Sequence, residues 1–186
     1  MSPSDHQELL GRVAQGDSTA FRALYDALGS RVYNTALGFT KHPQEAEDIA
    51  QEVFVKVFRS AGKFNGQSAV MTWVYRITVN TALSHLERRQ KRAGIGVHED
   101  APDPPDFDHP GVLLENKELA RYLFRVIDTL SDNQKTAFIL SYVEELSRQE
   151  VADIMELSLK AVESLLMRAK KNLRKKLKHL DPNRRK

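Results

Sequence analysis

The sequence predicts an all-α protein: two helical domains joined by an acidic, Pro- and Gly-containing linker, the second domain carrying a helix-turn-helix. Three observations predict it. Apolar residues recur at three- and four-residue spacing along most of the chain, and no segment alternates convincingly with period two. Residues 93–111 hold Gly94, Gly96, Pro102, Pro104, Pro105 and Pro110 with Glu99, Asp100, Asp103, Asp106 and Asp108, and no Lys or Arg. Such a stretch cannot bury enough apolar surface to fold alone. Finally, Ser147 and Ser158 mark two helix starts eleven residues apart, the arrangement of a short helix, a turn and a second helix that fits the major groove.

At 186 residues, 41% hydrophobic and 28% charged, the chain has room for one large domain or two small ones. No apolar run approaches a membrane span and no secretory signal opens the chain, so a cytoplasmic protein without stable membrane insertion is expected. The lack of Cys excludes disulfides and thiolate chemistry. The six His residues are scattered without metal-ligand spacing, and neither a nucleophile constellation nor a phosphate-cradling Gly loop is present. No metal, no cofactor and no catalytic residues are therefore expected. The net charge of +3 conceals segregation: residues 1–60 sum to −2, 61–92 to +5, 93–111 to −5 and 112–186 to +5. Two basic blocks separated by an acidic one suggest two surfaces facing nucleic acid.

In chain order, a first helix is expected from about Gln7 to Ala14, ended by Gly16. Asp17 caps a second helix with Phe21, Leu24, Tyr25 and Leu28, and a third includes Val32, Tyr33, Ala36 and Leu37. Pro43 suits a first helical position, with Glu45, Glu47 and Asp48 near the positive helix end. Ala46, Ile49, Ala50, Val53, Phe54, Val57 and Phe58 then form a broad apolar face. Gly62 and Gly66 bracket a loop, and Val70 to Arg92 reads as one long helix. After the linker, a helix is expected from near Val112 through Leu113, Leu119, Leu123, Val126, Ile127 and Leu130. Ser131 to Gln134 has the form of a capping box opening a helix with Ala137, Phe138 and Leu140. Ser147 and Glu150 form a second box stapled by Leu146 and Val151; Ser158 repeats the cap, with Ala161 leaving its box incomplete. The last helix follows Val162, Leu166, Ala169, Leu173 and Leu177, and the tail beyond Asp181-Pro182 reads as disordered. The domain boundaries so drawn are 1–92, the linker 93–111, 112–178 and a basic tail 179–186.

Two constellations carry chemistry. From Arg168 to Lys186 ten basic residues face one acid, Asp181; a positive stripe extending a recognition helix serves phosphate attraction, although a solvated helix face would look similar. Lys63, Phe64, Asn65, Trp73, Tyr75 and Arg76, followed by Arg88, Arg89, Lys91 and Arg92, interleave aromatics with cations. Aromatics beside cations stack on splayed bases; the competing reading makes the aromatics core.

With these residues in place, the chain resembles the extracytoplasmic-function group of bacterial sigma factors. Gly16-Asp17 with Ala20-Phe21 and Leu24-Tyr25, the run Ala46 to Phe54, Trp73 to Ile77 with Asn80 and Ala82, and Leu130, Gln134, Glu145 to Ser147, Glu150 to Ala152 and Arg168-Ala169 match that group's motifs in order. The resemblance implies a subunit of RNA polymerase that selects and melts promoters while the polymerase does the chemistry. Glu47, Asp48, Gln51 and Glu52 would dock on core RNA polymerase. Lys63, Phe64, Asn65, Trp73, Arg76, Asn80, Arg88 and Arg89 would read single-stranded minus-ten DNA. Lys160, Glu163, Ser164, Met167, Arg168 and Lys171 would read the duplex minus-thirty-five element. An anti-sigma factor is a further partner of this kind of protein, and the acidic linker is similar to the family segment that threads the RNA channel. Ser84, Glu87, Glu156, Ala161, Glu163 and Leu165 depart from frequent family residues. The alternatives are a helix-turn-helix regulator that binds duplex DNA without polymerase, and a protein-interaction module; the first should carry a receiver or ligand-binding N-terminus, for which residues 1–92 lack alternating strands.

Overall fold

The computed structural model describes residues 2–93 and 117–177, which fall into two compact units, 1–105 and 106–186. Each unit is a helical assembly of its own, and no strand occurs among the described residues. The expected linker and tail lie outside the described residues, apart from Ala93, as do Val112 and Leu113.

The first unit contains α1 (Pro3–Val13), α2 (Ser18–Thr40), α3 (Pro43–Ser60), a 3₁₀ turn (Ala61–Lys63) and α4 (Val70–Ala93). α1 begins four residues earlier than its apolar pattern suggests. Ser2 and Asp5 form a reciprocal capping box, and Pro3 sits in the first turn. Between α1 and α2, Gly16 takes φ 86°, and Asp17 then caps α2: its Oδ1 accepts from the amides of Thr19 (2.9 Å) and Ala20 (3.0 Å). Its other oxygen holds Arg12 Nη2 at 2.7 Å.

The two helices expected between Asp17 and Leu37 are one. Gly29 weakens a helix interior but does not break it, and Leu24, Leu28, Val32, Ala36 and Phe39 bury a single continuous stripe across it. The helix ends where Lys41 turns left-handed at φ 59°. α2 packs against α1, α3 and α4, and α3 packs on α4. Ala46, Ile49, Val53, Phe54 and Val57 of α3 meet this core, with Val70, Val74, Tyr75 and Ala82 from α4. One expectation fails here, and one open alternative is decided. Phe58 is 46% exposed, edge-on to Phe21 at 5.4 Å, because it falls at the margin of the buried stripe of α3 rather than within it. Tyr75 is only 2% exposed, so it is core and cannot serve as a base platform.

The second unit contains α5 (Lys117–Asp128), α6 (Asp132–Phe138), a π-helical turn (Ile139–Val143), α7 (Arg148–Met155) and α8 (Leu159–Leu177). α8 is the spine, contacted by α5, α6 and α7. Phe124, Val126, Ile127 and Leu130 pack with Ala169 and Leu173, while Val151, Ile154, Val162 and Leu166 close the helix-turn-helix. Ser131 precedes α6, but its side chain makes no cap hydrogen bond. Gln134 instead accepts from Asn172 Nδ2 at 3.1 Å, so the expected box is replaced by a tie between α6 and α8. Lys135, 6% exposed, is satisfied by Asp128 Oδ1 at 2.6 Å. The Ser147–Glu150 box is present in both directions, at 3.3 and 2.9 Å, and Ser158 Oγ accepts from the amide of Ala161 at 3.2 Å. Glu156 closes α7 in the left-handed region at φ 55°.

Candidate nucleic-acid interfaces

α3 presents an acidic outer face. Glu47, Asp48 and Gln51 are exposed, while Glu52 is half-buried and held. Lys56 Nζ lies 2.8 Å from Glu52 Oε1 and also donates to Thr81 Oγ1 at 2.9 Å. The Lys56 hydrogen bond, aided by the charges of Lys56 and Arg88, lowers the Glu52 pKa from its ordinary value. Val55 (47% exposed) and Phe58 continue the same face. Sequence reasoning passed over Val55 and assigned Phe58 to the core. Their signal was spacing: Val55 follows Gln51 by four and Phe58 by seven, which puts both on the acidic side.

The second face belongs to α4 and the loop before it. Phe64 and Trp73 meet with centroids 5.5 Å apart, both half-buried. Lys63 and Asn65 are exposed beside them, and Asn65 Oδ1 accepts from the amide of Gln67 at 3.2 Å, shaping the turn at Gly66. Trp73, Arg76 and Asn80 follow at three- and four-residue steps along α4, so one stripe carries an indole, a guanidinium and a carboxamide. Arg88 and Arg89 do not extend that stripe. Arg89 Nη1 meets both Glu45 oxygens at 3.2 and 3.3 Å, and Arg88 Nη2 lies 3.9 Å from Glu52. Both reach toward α3. Exposed Lys91 falls on the stripe instead, eighteen positions after Trp73 and so five helical turns on.

The third face runs along α8 from Lys160 to Lys171. Lys160, Glu163, Met167, Arg168 and Lys171 are exposed and Ser164 is half-buried, all on one side of the helix. Met167, 66% exposed, is the most exposed of the large apolar side chains among the described residues. Glu163 forms no ion pair with Arg168, five residues on and so not its neighbour on the helix surface. Beside this face lies an open concavity of about 800 Å³, lined by Glu163, Met167 and Lys171 together with Tyr142, Arg148, Lys170 and Arg174. No group of His, Cys, Asp or Glu able to hold a metal occurs among the described residues, and none of their helices is long and apolar enough to cross a membrane.

With this geometry in place, the chain can be compared with known proteins. The models of Sigma-70 region 2 and Sigma-70 region 4 match residues 24–92 and 120–173. The RNA polymerase sigma-H factor of Pseudomonas aeruginosa is 32% identical over 97% of this chain and 97% of its own length. The ECF RNA polymerase sigma-E factor of Haemophilus influenzae is 34% identical over 94% of this chain and 96% of its own. In fold, the chain is similar to CnrH, solved in complex with the cytosolic domain of CnrY, at a TM-score of 0.70 and 23% identity over 94% and 98% of the two chains. The chain belongs to the extracytoplasmic-function group of the sigma-70 family, and its function is that of an RNA polymerase sigma factor.

Proposed function

We propose that this sigma factor works in the cytoplasm by dividing three tasks among the three faces, without catalysing a reaction itself. Residues 1–92 act as the module for polymerase and the minus-ten element, 112–178 as the module for the minus-thirty-five element, with 93–111 as the linker and 179–186 as a basic tail. Glu47, Asp48 and Gln51, joined by Val55 and Phe58, dock on core RNA polymerase. Glu52 supports that face from its Lys56 contact. Phe64, Trp73, Arg76 and Asn80, with Lys63 and Asn65, hold unstacked minus-ten bases, and Arg88, Arg89 and Lys91 lie farther along the same helix. Lys160, Glu163, Ser164, Met167, Arg168 and Lys171 read duplex DNA.

The observation that carries this reading is the coexistence, in one chain, of an aromatic and amide stripe suited to splayed bases and a cation-rich recognition helix suited to a groove. A duplex-only regulator has no use for the former. An anti-sigma factor is included among the partners; it would act by covering the α3 face in competition with polymerase.

The test is reconstitution. The purified chain mixed with bacterial core RNA polymerase should co-elute with it and initiate transcription at a defined two-element sequence from a promoter library. Salt-dependent duplex binding without polymerase association would favour a free-standing regulator instead.

A further inference from the structure

Between the acidic face of α3 and the aromatic stripe of α4 lies a polar seam, and its central group, Lys56, is used by neither face. The ammonium lies 2.8 Å from Glu52 Oε1 and donates to Thr81 Oγ1 at 2.9 Å, twenty-five residues away in sequence. Thr81 is 1% exposed. It gives its own hydroxyl proton to the carbonyl of Ile77 at 2.7 Å, so toward Lys56 it acts as acceptor. A second tie runs the same way: Arg88 Nη2 lies 3.9 Å from Glu52 Oε2. Thr81 and Arg88 stand seven positions apart, two turns along one side of α4, and Glu52 and Lys56 are one turn apart on α3. Val53 and Val57 of α3 and Val74 and Ala82 of α4 are buried in the core of the same unit. Apolar packing is non-directional, and packed helices can slide by about 1–2 Å; a charge-assisted hydrogen bond fixes distance and direction. Thr81 directly follows Asn80 of the stripe. Whatever fixes Thr81 therefore fixes the angle at which α4 presents Trp73, Arg76 and Asn80.

We propose that Lys56 is a positioning residue for promoter opening. It holds the minus-ten stripe of α4 at a set offset from the docking face of α3, so that a chain seated on polymerase aims Trp73 and Asn80 at the DNA. Without the bridge α4 still folds and α3 still docks, but the stripe loses its register. The inference rests on the readings of α3 as the docking helix and α4 as the minus-ten helix, and gives a task to a residue that touches neither partner.

The experiment uses the full chain with bacterial core RNA polymerase on a two-element promoter. It reads polymerase affinity and, from a fluorescent base in the minus-ten element, the rate of opening. Lys56→Met keeps the stem and removes the ammonium. It should leave polymerase affinity within about twofold and slow opening about tenfold, as the loss of one hydrogen bond to a charged group would. Thr81→Val should slow opening to a similar degree, and Thr81→Ser, which retains the hydroxyl, should open at the normal rate. Lys56→Met/Thr81→Val should be no slower than either single variant; losses that multiply would overturn the bridge. A bridge that only stabilises the fold would lower the melting temperature and leave opening unchanged well below it, which would overturn the positioning role. Opening that returns to normal at saturating polymerase would also overturn it, by placing Lys56 in docking. Two further variants keep the failures apart: Trp73→Ala, and Lys at Glu47, Asp48 and Gln51. If the first slows opening and the second weakens polymerase binding while Lys56→Met opens normally, only the role of Lys56 falls. If neither has an effect, the readings of α3 and α4 fall with it.

Discussion

Glu163 sits on a helix face whose other charges are positive, with no ion pair to neutralise it among the described residues. A carboxylate there repels phosphates but accepts from the cytosine amino group. Glu163→Gln should therefore strengthen binding to mixed-sequence duplex while reducing discrimination at one base pair by about 1–3 kcal/mol, read by competition between promoter variants. Arg168→Ala should cost a similar amount of discrimination or weaken all sequences alike; unchanged promoter output would remove it from the interface. Acid sensitivity belongs to this scale too. The Ala20 amide and then the Arg12 guanidinium hold the Asp17 carboxyl below its ordinary value, as the Lys56 hydrogen bond does for Glu52. A lowered carboxyl stabilises the fold fully above the ordinary range near pH 4 and loses that contribution as pH falls through the lowered value. Asp17→Asn combined with Glu52→Gln should flatten the acid limb of melting temperature against pH and leave less change between pH 5 and 7.

At the scale of elements, two backbone positions make opposite use of glycine. Gly29 lies inside α2, where a Cβ would meet the Tyr25 ring at 3.7 Å, an ordinary contact. Gly29→Ala should raise stability by about 0.5–1 kcal/mol by restricting the unfolded chain. Glu156 closes α7 in the left-handed region, which an L side chain adopts at a cost, so Glu156→Gly should also stabilise, by about 0.5–1 kcal/mol. Ser147→Ala should do the reverse and cost about 1 kcal/mol by removing the cap of α7. Denaturant melts of the three variants check all the signs at once. The π-helical turn after α6 has a consequence of its own: it widens the helix by a residue and brings Tyr142 to Lys170.

Across the whole molecule, charge is distributed by task. The α3 face proposed for docking is acidic and the faces proposed for DNA carry the cations, so charge reversal should separate the two activities. Replacing Glu47, Asp48 and Gln51 by Lys should weaken polymerase association, increasingly so at low salt, while circular dichroism remains helical. Normal association would show that the face is misassigned. Glu52 is best left intact in that variant, because Lys56 and Arg88 both lean on it. The side of α3 that faces α4 has a second duty, since Glu45 and Glu52 hold Arg89 and Arg88.

Much of this was legible in the residues alone. Helical periodicity, the Pro43 start, the Asp17, Ser147 and Ser158 caps and the Val162-to-Leu177 seam are local signals, because caps and amphipathic stripes depend on neighbours within a turn or two. The family motifs are legible for the same reason, and with them the sigma-factor function. What the chain alone could not decide depends on residues distant in sequence. Continuity of α2 through Gly29 follows from burial by α1, α3 and α4. Burial of Tyr75 depends on the helices that pack against α4. Gln134 leaves its expected cap because Asn172, thirty-eight residues away, competes for it. Arg88 and Arg89 turn toward α3 because Glu45 and Glu52 wait there, a pairing across more than thirty residues of chain. Periodicity determines which face of a helix is apolar; only packing determines which polar groups meet across the gap between helices, since those energies belong to pairs that the chain brings together only when folded.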